Sequence, residues 1–141
     1  MHLAISRASF LAWCFAAAFG VELAHAVCAA PATQIANPAV VLSGRTVCVG
    51  APGNWVNQEF HTGTNSGTII DYKEGPASLK DPTSVVGIWA VSGSSVTYSY
   101  GSGGTYVFTL WLQGNGSVDF CTGATPAVSG AKLLAGQVAC N

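Results

Sequence analysis

Short apolar stretches alternate with clusters of Gly, Pro, Asn and Ser about every eight to twelve residues along the chain. This spacing is typical of an antiparallel all-β domain, and no segment shows sustained helical periodicity. We predict short strands at 45–50, 55–61, 68–73, 85–92, 95–100, 105–112, 117–121 and 133–140. Two prolines in 74–84 indicate a surface loop, and 124–135 has room for one short helical turn. We expect an antiparallel meander of about seven to eight strands, closed into a small lipocalin-like barrel or folded as a sandwich.

The register of the central hairpin follows from its turn. Residues 95–100 alternate between apolar and hydroxyl side chains, and Gly93-Ser94 is suited to a two-residue type II′ turn. The turn predicts three cross-strand pairs: Val91 with Val96, Trp89 with Tyr98, and Gly87 with Tyr100.

The next two turns extend this face across the meander. A shift of one residue would turn every side chain to the other face, so the glycine-rich connection after Tyr100 must have an odd length. The Asn115-Gly116 turn connects the two strands of the following hairpin. The predicted pairs are Tyr100 with Tyr106, Tyr98 with Phe108, Val96 with Leu110, Leu110 with Phe120, and Leu112 with Val118.

One face of the meander therefore carries an aromatic row. Its members are Trp89, Tyr98, Tyr100, Tyr106 and Phe108. These rings either line a cavity for an apolar or planar ligand or fill the core of a small domain. They are the candidate ligand-binding residues of the chain.

The first 26 residues have the pattern of a signal peptide. A basic start ending at Arg7 precedes an uncharged apolar run, Ala8–Val21, and Ala24-His25-Ala26 supplies the small residues of a cleavage site. The run is too short to cross about 30 Å of hydrocarbon as a helix. We predict a signal peptide at 1–26, an extended lead-in at 27–44, one all-β domain at 45–141, and a secreted or periplasmic location without a membrane span.

Four cysteines remain after this cleavage: Cys28, Cys48, Cys121 and Cys140. An even number in an exported chain indicates two disulfides, with three possible connectivities. The predicted register places Cys48 and Cys121 on the polar faces of short strands, which favours Cys48–Cys121 and Cys28–Cys140. No Cys-x-x-Cys spacing indicates zinc, a thioredoxin-like site or haem, and we predict neither a metal site nor a cofactor.

Charged residues are few in this chain. Their distribution argues against nucleic acid as a partner and leaves few side chains for acid–base chemistry. Beyond residue 26 the chain keeps four of its five Lys and Arg residues and five of its six Asp and Glu residues, without a basic cluster for nucleic acid. His61 is its single histidine there, and Glu59 lies two residues before it. A hairpin between 55–61 and 68–73 would bring Asp71 or Lys73 near this pair. The group is either a small acid–base site or a solvated polar face, and no nucleophile motif accompanies it.

Two resemblances add to this interpretation. Gly87-Ile88-Trp89, entering a hairpin meander, resembles the Gly-x-Trp of the calycins, the lipocalin and avidin group of up-and-down barrels. In those barrels the motif lies on the first strand, and its tryptophan closes one end. The stretches LSGRTVCVG, DYKEGP, DPTSVVGIW and DFCTG, in that order, resemble a group of small uncharacterised secreted bacterial proteins. That resemblance implies export and a β-rich fold, and it implies no activity.

The function that these patterns favour is that of an extracytoplasmic binding or surface-interaction module without catalysis. Its partner would be a small apolar ligand or another protein. One alternative is a small secreted hydrolase or lyase that uses Glu59 and His61. Another is a subunit of an extracellular assembly that pairs through an exposed strand edge.

Overall fold

The structure is a computed structural model, and it describes residues 27–71 and 84–141. The predicted signal peptide and most of the predicted loop at 74–84, with Lys73, lie outside the described residues. Within them, the elements are β1 (Thr33–Gln34), α1 (Ala39–Leu42), β2 (Arg45–Ala51), β3 (Asn54–His61), β4 (Ser66–Asp71), β5 (Ser84–Ser92), β6 (Ser95–Ser99), β7 (Thr105–Leu112), β8 (Val118–Thr122) and β9 (Thr125–Ala135).

The eight strands β2 to β9 form a closed antiparallel barrel. Each strand pairs with the next one along the chain, and β9 returns to pair with β2. The short strand β1 lies beside the last two residues of β7, beyond the part of β7 that pairs with β6. The all-β prediction is confirmed. The sequence left a barrel and a sandwich open as architectures, and the chain forms the barrel.

The two ends of the barrel differ. At one end, which we call the plugged end, α1 inserts Leu42 into the core with no exposed surface. The Gly44 amide then donates a hydrogen bond to the carbonyl oxygen of His61, which fixes the entry into β2. The connections 52–53, 100–104 and 123–124 lie at the opposite end, which we call the open end.

Most of the predicted hairpin register is confirmed. The pairs Trp89–Tyr98, Val91–Val96, Leu110–Phe120 and Leu112–Val118 all occur. The pairing of β6 with β7 was predicted wrongly by two residues, because Tyr98 lies opposite Tyr106 and Val96 opposite Phe108.

The cause of that shift is the end of β6. Tyr100 leaves the strand, and its amide donates a hydrogen bond to the Gly104 carbonyl across a 3-10 turn at Gly101–Gly103. Ser99 therefore pairs with Thr105 and closes a connection of odd length, residues 100–104. The odd length keeps the aromatic side chains on the inner face, as predicted, although their partners differ.

The last strand lies earlier in the chain than predicted. The strand expected at 133–140 is wrong, and β9 instead occupies the stretch where a helical turn was expected. Because this stretch consists largely of small residues, its sequence shows no clear alternation of apolar and polar side chains. Pairing with β8 and β2 nevertheless holds the chain extended. The Asp119 carboxylate also accepts a hydrogen bond from the amide of Gly130 at 2.7 Å.

The disulfides are Cys28–Cys121 and Cys48–Cys140, so the predicted pairing was wrong although all four cysteines are used. Barrel closure explains the difference, because β9 lies between β2, which carries Cys48, and β8, which carries Cys121. The lead-in runs along β7, next to β8, and brings Cys28 to Cys121.

The C-terminal segment makes the other connection. After β9 it crosses the outer face of β2 and β3, where the Val138 amide donates to Thr46 Oγ1 and the Cys140 amide donates to Gln58 Oε1. This path brings Cys140 to Cys48. Both strand cysteines are consequently buried under the terminal segments.

Candidate functional site

A cavity of about 320 Å³ lies inside the barrel toward its open end. One wall is built from aromatic side chains of β6, β7 and β8 and from Tyr100, which directly follows β6. The facing wall, on β2 and β9, carries only small side chains, among them Val47, Val49, Ala127 and Val128. Because these side chains are too short to meet the rings across the barrel, the space between the walls stays unfilled. Its rim includes the exposed residues Tyr106, Thr122 and Ala127.

The structure places four members of the predicted aromatic row on this cavity: Tyr98, Tyr100, Tyr106 and Phe108. Tyr98 and Tyr100 stack with ring centroids 6.2 Å apart, and Tyr106 and Phe108 stack at 6.3 Å. The fifth member, Trp89, is not a lining residue. It is buried, its Nε1 donates to the Thr62 carbonyl at 2.9 Å, and its ring meets His61 edge-on.

Phe120 lines the cavity and was not among the candidate ligand-binding residues. Its ring centroid lies 6.1 Å from that of Tyr98 and 5.9 Å from that of Phe108. The sequence placed Phe120 on the correct face, opposite Leu110. Only the curvature of the closed barrel, however, brings β8 around to face β6.

Gly87 allows Tyr100 to lie against the wall. A Cβ atom at this position would stand 2.6 Å from the Ser99 carbonyl oxygen and 3.0 Å from Cδ1 of Tyr100. The ring therefore lies over a facing glycine, a known device of antiparallel sheets. The close approach explains the glycine of the Gly-x-Trp sequence by local packing.

Glu59 brings a carboxylate to the cavity wall. It is half-buried on β3, and Tyr100 donates a hydrogen bond to its Oε2 at 2.8 Å. Burial raises the pKa of Glu59. The Tyr100 hydrogen bond opposes this shift, and the negative charge of Asp71, directly across the β3–β4 pair, adds to it. The predicted proximity of Glu59 and Asp71 is confirmed.

His61 lies deeper and has no exposed surface. Its Nδ1 is 3.1 Å from the carbonyl oxygen of Glu59, which can only accept, so Nδ1 carries the proton. Its Nε2, 2.8 Å from the hydroxyl oxygen of Tyr98, therefore accepts a hydrogen bond from Tyr98. Burial lowers the pKa of His61 to about 4, although two backbone hydrogen bonds oppose the shift, and the ring is neutral at physiological pH.

The two candidate acid–base residues thus hydrogen-bond to different tyrosines. The carboxylate of Glu59 is engaged by Tyr100, and both ring nitrogens of His61 are occupied. A proton transfer to a substrate by His61 would first have to break its hydrogen bond with Tyr98. In this arrangement Glu59 and His61 hold the side chains of Tyr100 and Tyr98 in place in the cavity wall.

The described ranges, 27–71 and 84–141, contain no group of three or more His, Cys, Asp or Glu residues arranged to hold a metal ion. In the same ranges, no helix has the length and apolar character needed to cross a membrane.

Comparison with known proteins leaves the geometry as the main guide to function. The Gly-x-Trp lies on β5, the fourth strand of the barrel, and both resemblances of the sequence stay predictions. No protein-family model, no curated protein and no solved structure matches the chain.

Proposed function

We propose that the protein is an exported, non-enzymatic binding protein whose barrel takes up one small, largely apolar ligand. The cavity is the observation that carries this proposal. Ligand sites in proteins have volumes of about 300–1,000 Å³, apolar and aromatic walls, and a few polar groups that orient the ligand. The cavity of about 320 Å³, with its aromatic wall and Glu59, has each of these properties.

The volume limits the size of the ligand. A dry cavity of about 150 Å³ is known to hold one benzene molecule. About twice this volume is present in the barrel, which suits a molecule of two to three aromatic rings or an aliphatic compound of similar bulk. Long-chain lipids exceed this space.

Export is supported by the two disulfides, because such bonds form and persist mainly in oxidising compartments. The signal-peptide pattern of residues 1–26 supports the same location.

The alternative functions have weaker support. A hydrolase or lyase that uses Glu59 together with His61 would need a free nitrogen on His61, and both ring nitrogens are engaged in hydrogen bonds. An assembly subunit would need an unpaired strand edge, whereas each strand from β2 to β9 has neighbours on both sides.

A neutral fluorescent dye tests the proposal. We expect the oxidised protein to bind N-phenyl-1-naphthylamine at one site with a rise in fluorescence. Ala127→Phe, which places a ring at the rim of the cavity, should weaken this binding by about ten-fold or more. The matched control is Ala90→Phe, an equal change at an exposed position of β5, and it should bind like the wild type. Absence of dye binding, or equal binding by Ala127→Phe and wild type, would refute the proposal.

A further inference from the structure

The cavity has a negative electrostatic character. Glu59 is the one acidic side chain among the described lining residues, and His61, which in water would titrate near neutral pH, is buried and neutral. Asp71 lies directly opposite Glu59 on β4, so a second carboxyl group stands beside the cavity. No Lys or Arg of the described ranges lines the cavity.

The tyrosine hydroxyl groups of the wall are already used as hydrogen-bond donors, and the remaining side-chain donors of the lining belong to two exposed residues, Asn57 and Thr122. Tyr98 donates to His61, Tyr100 donates to Glu59, and Tyr106 donates to the Gly103 carbonyl at 2.8 Å. An anionic ligand would therefore find few donors. The carboxylate of Glu59 accepts a single hydrogen bond, at Oε2, within the described residues, which leaves Oε1 as an acceptor for a ligand.

The aromatic wall favours the same sign of charge. An aromatic ring carries partial negative charge on its faces, so rings grouped around a cation attract it, and such cages recognise organic ammonium groups. Five rings line this cavity: those of Tyr98, Tyr100, Tyr106, Phe108 and Phe120. The ring of Tyr100 is held beside the carboxylate by the Tyr100–Glu59 hydrogen bond.

We infer that the cavity selects small organic cations, in which an ammonium group on an aromatic or compact apolar body pairs with Glu59 and lies against the neighbouring rings. The apolar body then lies against the other rings of the lining, those of Phe108 and Phe120. This inference rests on the proposed binding function and names the class of its ligand. A neutral molecule of the same shape fits the cavity but forgoes both the ion pair and the cation–π contacts.

Three indole derivatives of similar shape and different charge test the inference: tryptamine (cation), 3-ethylindole (neutral) and indole-3-acetate (anion). Their dissociation constants are measured on the oxidised protein at pH 8 by displacement of N-phenyl-1-naphthylamine and by calorimetry. We expect tryptamine to bind about ten-fold more tightly than 3-ethylindole, and indole-3-acetate to bind most weakly.

Two variants connect this preference to the carboxylate. Glu59→Gln keeps an acceptor for Tyr100 but removes the charge, so tryptamine should lose about ten-fold in affinity while 3-ethylindole binds unchanged. Tyr100→Phe keeps the ring but removes the hydrogen bond that holds it beside the carboxylate and opposes the raised pKa of Glu59, so it should weaken the preference for tryptamine. If Glu59→Gln does not fold, the affinities of the wild type for the three ligands still test whether the cavity prefers a cation.

The outcomes separate the inference from the proposed function. If 3-ethylindole binds as tightly as tryptamine, or Glu59→Gln keeps the preference, the cation inference is wrong and the binding function stands. If the dye binds but none of the indoles displaces it, the inference is also wrong. If neither the dye nor any indole binds, both the inference and the proposed function fail.

Discussion

The buried neutral His61 makes the stability of the protein depend on pH in a predictable direction. The pKa of its imidazole is lowered from 6.5 to about 4 in the folded chain. Between these values the unfolded chain binds a proton that the folded chain does not. The free energy of unfolding therefore falls as the pH decreases from about 6.5 to about 4, and it has its full value above that window.

The size of the effect follows from the same shift. One pKa unit corresponds to about 1.4 kcal/mol, so a shift from 6.5 to about 4 changes the free energy of unfolding by about 3 kcal/mol. Glu59 acts in the opposite direction, because its pKa is raised. Its contribution to stability is present below about pH 4.5 and is lost as the pH rises through the folded-state pKa. The two residues must therefore be separated experimentally.

The assay uses Glu59→Gln as the reference protein. Urea unfolding of the oxidised chain is followed by tryptophan fluorescence between pH 3.5 and 7.5, with the double variant Glu59→Gln/His61→Gln as control. The single variant should gain about 3 kcal/mol relative to the double variant as the pH rises from about 4 to 7. An NMR titration should also show no protonation of the His61 ring above about pH 5.

Parallel curves for the two variants would refute this reasoning. Titration of the His61 ring near pH 6.5 would refute it as well, because the imidazole would then have the same pKa in the folded chain as in water.

Three further changes test the fold by urea unfolding. Leu42→Ala should cost about 2–5 kcal/mol by emptying the plugged end, and a cost below about 1 kcal/mol would mean that α1 does not close the barrel. Gly67→Ala would press a Cβ atom into the backbone carbonyl oxygen of Thr62 and should destabilise by roughly 1–3 kcal/mol. Gly114→Ala, which meets nothing within 4 Å, should stay within about 0.5 kcal/mol. Replacing Cys48 and Cys140 together by Ser opens a cross-link spanning 92 positions and should cost roughly 4 kcal/mol, whereas an unchanged stability would contradict the assigned pairing.

The parts of the fold that were predicted correctly depend on local interactions. The turn at Gly93-Ser94 determines the pairing of β5 with β6, since two residues leave little freedom between the strands. The longer glycine-rich connection could be closed in more than one way. There the hydrogen bond between the Tyr100 amide and the Gly104 carbonyl decided the partners.

The errors concern contacts between distant parts of the chain. The pairing of Cys48 depends on which strand lies beside β2, and that neighbour is β9, the last strand. Cys48 and Cys121 lie on the same side of the sheet, as the alternation along their strands predicted. That alternation contains no information about the strand that separates them or about the terminal segments that cover them.

The candidate site shows the same division. The shared face of Tyr98, Tyr100, Tyr106 and Phe108 follows from alternation along the predicted strands 95–100 and 105–112. The cavity in front of them depends on the opposite wall, where the small side chains of β2 and β9 stop short of the rings. A sequence pattern shows which side chains share a face, whereas an empty volume is a property of two faces at once.

Two departures from ordinary core packing meet in this cavity. A half-buried carboxyl group with a raised pKa lies on an inner wall, where an apolar side chain would cost less, and the facing wall leaves about 320 Å³ unfilled. Well-packed cores hold few voids larger than a water molecule, and departures from the rules of packing concentrate at functional sites. If Glu59 and the space had been in different parts of the barrel, each would be a separate packing imperfection. Their coincidence, beside rings whose hydroxyl groups are already hydrogen-bonded, is better explained by a ligand that occupies the space and compensates the charge.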